Sequence, residues 1–260
     1  MLATVNDISI HYELEGPEGA PVITFSNSLA ATLELWEFQV PVLRGAYRIL
    51  RCDTRGHGRS SAPPGPYTME MLAADVVGLL DFLHIERTHF VGISMGGMIG
   101  QVLAAHAPQR LEKLVLCDTN PRVPPEAGPV WDQRIRQAET EGMASLAGQT
   151  LERWLSEEYR RNHPETTARI REMIVCTPVS GYAGCGRAIA GFDAWDELPK
   201  ISARTLVVVG EKDEGSPVSA AEAIHRRIAR SELVVVPGAL HLPIIERVES
   251  FNDALLRFLG

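Results

Sequence analysis

Short apolar runs alternate along this chain with longer stretches whose apolar residues recur at helical spacing. Near the start, Ile8, Ile10 and Tyr12 face one way and His11 and Glu13 the other, the pattern of an edge strand or hairpin with one wet side. Pro21 to Phe25 and Tyr47 to Cys52 read as buried strands, with a short helix over Leu35 to Leu43 between them. Met69, Leu72, Ala73, Val76, Leu80 and Leu83 form the buried face of a helix that Thr68 can cap, with Glu70 in its first turn. His89-Phe90-Val91 is the next strand, and the small apolar stretch Met98 to Ala105 the next helix. Leu111 to Cys117 is a further strand.

The alternation then stops. From 122 to 196 no strand is evident, only helical segments rich in Arg and Glu, of which Met143 to Tyr159 is the clearest. Strands resume at Thr205 to Gly210 and Glu232 to Val236, with helices over Ser219 to Ala229 and Arg247 to Leu259. Such alternation predicts a mostly parallel sheet flanked by helices. The core is expected to comprise 1–121 and 197–260, interrupted by a helical cap, or lid, over 122–196. Ligands of such sheets bind at the carboxyl ends of the strands. The loops after Phe25, Cys52, Ile93, Cys117, Val209 and Val236 are therefore expected on one rim.

Composition narrows the classes. With 260 residues, 45% apolar and 22% charged, the chain has the make-up of a globular protein with a full core. A net charge of -8 argues against phosphate-backbone binding, so no nucleic-acid partner is expected. No apolar run approaches the ~20 residues that span a bilayer, and Met1 to Glu13 lacks the pattern of a secretory signal. Cys52, Cys117, Cys176 and Cys185 have no metal-ligand spacing. A cytoplasmic enzyme without metal or cofactor, acting on a small molecule, is the expectation; the oligomeric state is not set by the sequence.

The candidate chemistry centres on Gly92-Ile93-Ser94-Met95-Gly96-Gly97, a tight turn between strand and helix. Small residues at Gly92 and Gly96 let the two elements approach, and Ser94 at the corner is forced towards positive φ with its hydroxyl exposed. A serine needs a base, and His241, just after the last strand, is the histidine best placed for it. His57 shares the rim but sits inside an Arg-Gly-His-Gly turn, where hydrogen bonding to the loop is its expected role. The base needs an acid to fix its tautomer. Asp213 is favoured; Asp118 competes, and Asp53 is weaker because Asp-x-Arg-Gly suits a structural ion pair and turn. The backbone N–H groups of Met95 and Leu29 are the expected oxyanion donors.

With these motifs the chain resembles the α/β-hydrolases throughout its length, and more narrowly the 3-oxoadipate enol-lactonases. The narrower likeness rests on Ser26-Asn27-Ser28-Leu29, Asp53 to Gly58, Pro63 to Thr68 and Gly92 to Gly97. In the cap it rests on Trp131 with Arg134, Glu141-Gly142-Met143, Arg153-Trp154 and Gly181-Tyr182-Ala183. The resemblance implies an α/β-hydrolase fold and cofactor-free hydrolysis of a small acidic enol-lactone, with Trp131 and Arg134 as substrate contacts. The chain departs from the family at Ala30, where glycine is usual, around His241, and at Asp193-Ala194-Trp195-Asp196, where an arginine is common. Arg134 and Arg187 are candidates to replace that arginine. A general carboxylesterase or perhydrolase on the same triad is the alternative, and a ligand-binding signalling protein a third.

Overall fold

In the computed structural model, which describes residues 1–260, Asn6 and Asp7 both adopt positive φ, 46° and 62°. Short polar side chains tolerate that region, and the turn folds β1 (Leu2–Val5) onto β2 (Ile8–Glu15) as an antiparallel hairpin. β2 then pairs antiparallel with β4 (Arg48–Cys52). All remaining pairings are parallel and involve β3 (Val22–Ser26), β5 (Thr88–Ile93), β6 (Leu111–Cys117), β7 (Arg204–Gly210) and β8 (Ser231–Val236). The eight strands run in the order β1-β2-β4-β3-β5-β6-β7-β8. All parallel strands thus end on the same rim.

One expectation fails on β2. His11 is buried, because the loop after β4 covers that face: its Nδ1 meets Asp53 Oδ2 at 2.8 Å, and Ser60 and Ser61 hydroxyls accept backbone N–H groups of the strand. Alternation separated the two faces of β2 correctly, but neither is wet at His11.

The predicted helix over Leu35 to Leu43 is a single 3-10 turn (Leu33–Trp36) followed by α1 (Val40–Leu43). Trp36 is fully buried, with its ring centroid 4.6 Å from that of Phe25 and 6.5 Å from that of Phe251. α2 (Met69–Phe82) starts at Thr68, whose hydroxyl accepts from Met71 N–H as expected of a cap. α3 (Met95–His106) packs across β5 and β6.

Between β6 and β7 lie five helices: α4 (Gly128–Glu141), α5 (Ala144–Trp154), α6 (Glu157–Asn162), α7 (Pro164–Val175) and α8 (Val179–Ala190). The predicted Met143 to Tyr159 helix is broken. Leu155 is extended, and Ser156 caps α6 by accepting from Tyr159 N–H. α9 (Val218–Arg227), α10 (Pro243–Glu246) and α11 (Val248–Leu259) complete the chain.

Three joints between the helical segment and the sheet domain bear on the site. Its two ends run antiparallel at a neck, where Val123 N–H donates to Phe192 O at 2.8 Å and Ala194 N–H to Pro121 O at 2.9 Å. Trp195 lies there between the guanidinium groups of Arg122 and Arg227, 4.6 and 4.3 Å from its ring centroid. At the second joint α8 rides directly on the loop after β4: a methyl group at Gly181 would overlap the backbone of Gly56. The third joins the end of α5 to the loop after β8, and leads into the site.

Candidate active site

The corner at Ser94 follows from its neighbours. Methyl groups at Gly92 or Gly96 would overlap the Gly96 carbonyl or the Ser26 carbonyl, so only glycine lets β5, α3 and the end of β3 come this close. Ser94 takes φ 56° and ψ -115°. Its N–H donates to Cys117 O at 2.8 Å, and the next turn is tied down by Gly96 N–H donating to Asn27 O at 3.0 Å. From Thr88 to Ala104, Ser94 alone is not buried. The turn therefore presents one hydroxyl from an otherwise closed strand–helix unit, at the positive end of α3.

Asn27 holds the facing loop. Its side chain accepts from Trp36 Nε1–H at 2.9 Å and donates to Cys52 O at 2.8 Å, so this fully buried amide is satisfied on both sides. Leu29 follows it. The N–H groups of Leu29 and Met95 take part in no hydrogen bond within the chain, and they stand at the carboxyl ends of the adjacent strands β3 and β5.

His241 is buried after β8 and pairs with Asp213, buried after β7, through Nδ1 and Oδ2 at 2.7 Å. A carboxylate only accepts, so the proton sits on Nδ1 and Nε2 is left as the free acceptor. Burial opposes the charge on Asp213. The His241 ring and the amides of Gly215 and Ser216 outweigh it and hold the carboxyl below its usual range. Ser94 Oγ makes no capping hydrogen bond, and Nε2 of His241 makes none either.

The expected rival, Asp118, is also here. Side-chain ligand atoms of Asp118, Asp213 and His241 lie within 4.8 Å of one another. Asp118 accepts from Gly210 N–H at 2.8 Å and from the Cys117 thiol at 3.0 Å, and makes no hydrogen bond to His241. These three are the chain's one cluster of potential metal ligands; His241 is bonded to Asp213, and Asp118 to Gly210 N–H and the Cys117 thiol. Burial first, then the neighbouring Asp213, push the Asp118 carboxyl well above the usual range.

Asp53 and His57 are loop residues. Asp53 accepts from His11, from Leu33 N–H and from Arg59 N–H, while the ion pair of this loop joins Arg55 to Asp75 at 2.7 Å. His57 Nε2 accepts from Ala30 N–H at 2.9 Å and its Nδ1 donates to Arg55 O at 3.2 Å. Complete burial lowers its pKa, which fits a neutral ring that organises the Ala30 loop.

Two residues not expected in the site border the base and its loop. Trp154, at the end of α5, stacks on His241 with ring centroids 6.2 Å apart and planes at 26°. Its carbonyl accepts from Leu242 N–H at 3.2 Å. Glu246 is buried, and its two oxygens accept from Ser156 N–H and Leu240 N–H, each at 2.7 Å. The break at Leu155 thus bolts the helical segment to the loop that carries His241. Its sequence signal is Ser156, a good cap inside an apparently continuous helix.

Arg134 is half-buried, 5.2 Å over the Trp131 ring, and Arg134 and Arg153 both act on the buried Tyr182. Burial and the Arg134 charge lower the pKa of Arg153. Neither arginine has a carboxylate partner, whereas Arg187, the other expected substitute cation, is paired with Glu139 at 3.0 Å. That pair is exposed on both sides, with side chains 47% and 43% accessible.

Residues 21–248 match the α/β-hydrolase fold family. This chain is an α/β-hydrolase. The hydrolase is 32% identical over 252 residues to 3-oxoadipate enol-lactonase 2 of Acinetobacter baylyi, covering 97% of this chain and 93% of that protein. The crystal structure of the enol-lactonase from Burkholderia xenovorans LB400 superposes with a TM-score of 0.96 at 40% identity, covering 100% and 99% of the two chains. A malate-bound thermophilic esterase from Thermogutta terrifontis gives a TM-score of 0.92 at 34% identity, covering 100% and 97%. No helix is long and apolar enough to cross a membrane.

Proposed function

We propose that this α/β-hydrolase is a cofactor-independent serine hydrolase of a small acidic lactone, best met by 3-oxoadipate enol-lactone. The observation that carries the chemistry is the buried Asp213–His241 pair, whose second nitrogen is free on the rim that exposes Ser94. His241 Nε2 takes the proton as Ser94 Oγ attacks the ring carbonyl, and Asp213 stabilises the imidazolium. The oxyanion rests on the N–H groups of Leu29 and Met95. Collapse breaks the ring C–O bond; His241 protonates the departing enol oxygen, and the enol becomes a ketone. A water activated by His241 then releases the acid from Ser94. Direct attack by such a water, without an acyl-enzyme, is the variant mechanism.

The relatives support the lactone, and the cap, 122–196, supports an acidic one. Arg134 and Arg153 lack carboxylate partners, and Arg153 adjoins the tryptophan stacked on His241. A general carboxylesterase is the second reading, favoured by the likeness to the Thermogutta terrifontis esterase. Parallel assay of the enol-lactone and p-nitrophenyl acetate separates them. A large kcat/KM advantage for the lactone is expected, with Arg134→Ala and Arg153→Ala raising KM for the lactone alone; an advantage for the neutral ester overturns the lactonase reading. Labelling of Ser94 by a fluorophosphonate, with sustained turnover, excludes a ligand-retaining protein.

A further inference from the structure

Asp118 is a second buried carboxyl beside the base, and hydrolysis as proposed above does not use it. It directly follows β6 with φ 42° and is 1% exposed. The titratable groups that face it are Cys117 on its own strand, Asp213 after β7 and His241 after β8. No lysine or arginine forms an ion pair with either aspartate; His241 is the only partner of that kind. Two carboxyls and one imidazole therefore share a buried site in which two adjacent negative charges are strongly disfavoured. The donors decide which carboxyl ionises. Asp213 receives His241 Nδ1–H, Gly215 N–H and Ser216 N–H, whereas Asp118 receives one amide, from Gly210, and one thiol, a weak donor.

We infer that Asp118 remains a neutral acid at working pH and donates its proton to the Asp213 carboxylate, acting as a positioning residue for the Asp213–His241 pair. Its O–H holds Asp213 in the orientation that receives His241 and shares the charge that would otherwise act on the imidazole alone. This rests on His241 being the base of the proposed hydrolase. An asparagine at 118 keeps both neutrality and a donor; a leucine keeps neither the donor nor the acceptors.

The test is NMR of the full chain with carboxyl-labelled aspartate and ring-labelled histidine. One aspartate carboxyl is expected to stay protonated near neutral pH, and its signal to vanish in Asp118→Asn. The His241 midpoint is expected to stay within about half a unit in Asp118→Asn and to rise by more than that in Asp118→Leu, where Asp213 loses its donor. A wild-type protein with every aspartate ionised near neutral pH overturns the inference, whether or not the variants fold. So does a fall of the midpoint by more than about half a unit in Asp118→Asn, the mark of a lost negative charge. An unchanged midpoint in Asp118→Leu removes the positioning role. None of these readouts needs turnover, so an absence of ester hydrolysis would count against the proposed function alone.

Discussion

Two buried imidazole–carboxylate pairs stand in this chain, His241 with Asp213 at 2.7 Å and His11 with Asp53 at 2.8 Å. In distance and burial they are near twins. The difference lies on the far side of each ring. His11 Nε2 faces the Arg59 guanidinium at 3.3 Å, and Asp53 also closes the amides of Leu33 and Arg59, so that pair is saturated by its own loop. His241 has Trp154 stacked on its face and an uncommitted Nε2. An imidazole held by a carboxylate becomes a candidate base only when its second nitrogen is left open beside a nucleophile.

The largest expected effect tests that contrast directly. His241→Ala should lower kcat for the lactone by ~10⁴-fold, the scale on which a serine loses its base, while His11→Ala should leave kcat of the folded enzyme within about threefold. Comparable losses at both sites would erase the distinction.

Next in size is stability. Asp53→Asn leaves one acceptor for three donors and should cost roughly 2 kcal/mol or more in denaturant unfolding, with kcat retained. Asp213→Asn should do the reverse, losing orders of magnitude in kcat because the amide no longer fixes the tautomer of His241.

A pH series sharpens the comparison further. The Asp118 carboxyl is raised on folding, so the folded protein keeps a proton that the unfolded chain releases above about pH 4. Stability from this group is complete below that pH and is lost as pH rises towards the folded value. Asp118→Asn has no such proton and should gain on the wild type in Tm from about pH 4 to 7, with kcat within about tenfold. Asp213 is depressed, so its contribution is present above about pH 4 and lost as pH falls through the folded value; the Tm deficit of Asp213→Asn should close in acid.

The smallest effect belongs to the third buried ring. His57 holds Ala30 N–H while Ala30 sits at φ 62°, and Ala30→Gly should relieve that strain for a net gain of about 0.5 kcal/mol after the glycine's extra unfolded-state entropy.

The elbow was legible because its cause is local: glycines at 92 and 96 leave Ser94 no other conformation. The parallel sheet was legible for a similar reason, since each strand announces itself within a few residues. His11 was misplaced because what covers it arrives from Asp53 and Ser60, far along the chain, and periodicity assigns faces but not neighbours. The exposed pairing of Arg187 with Glu139 could not be read from the sequence because Glu139 lies on another helix. Trp154 and Glu246 were out of reach for a related reason. Their partners lie across the joint between cap and core, and the turn that aims them, at Leu155, was hidden inside a helical pattern with one serine as its sign.

The neck gives the cap a further meaning. Pro121 and Ala194 are hydrogen-bonded to each other, so the chain leaves the sheet and returns to it at a single port. A helical segment of another length or composition spliced between those two residues is expected to leave β6 and β7 in place, provided it keeps the contact at Gly56 and a bolt to the His241 loop. Such a port would make the helical segment an exchangeable cassette; replacing it is expected to change the range of substrates while the sheet that carries Ser94 stays unchanged.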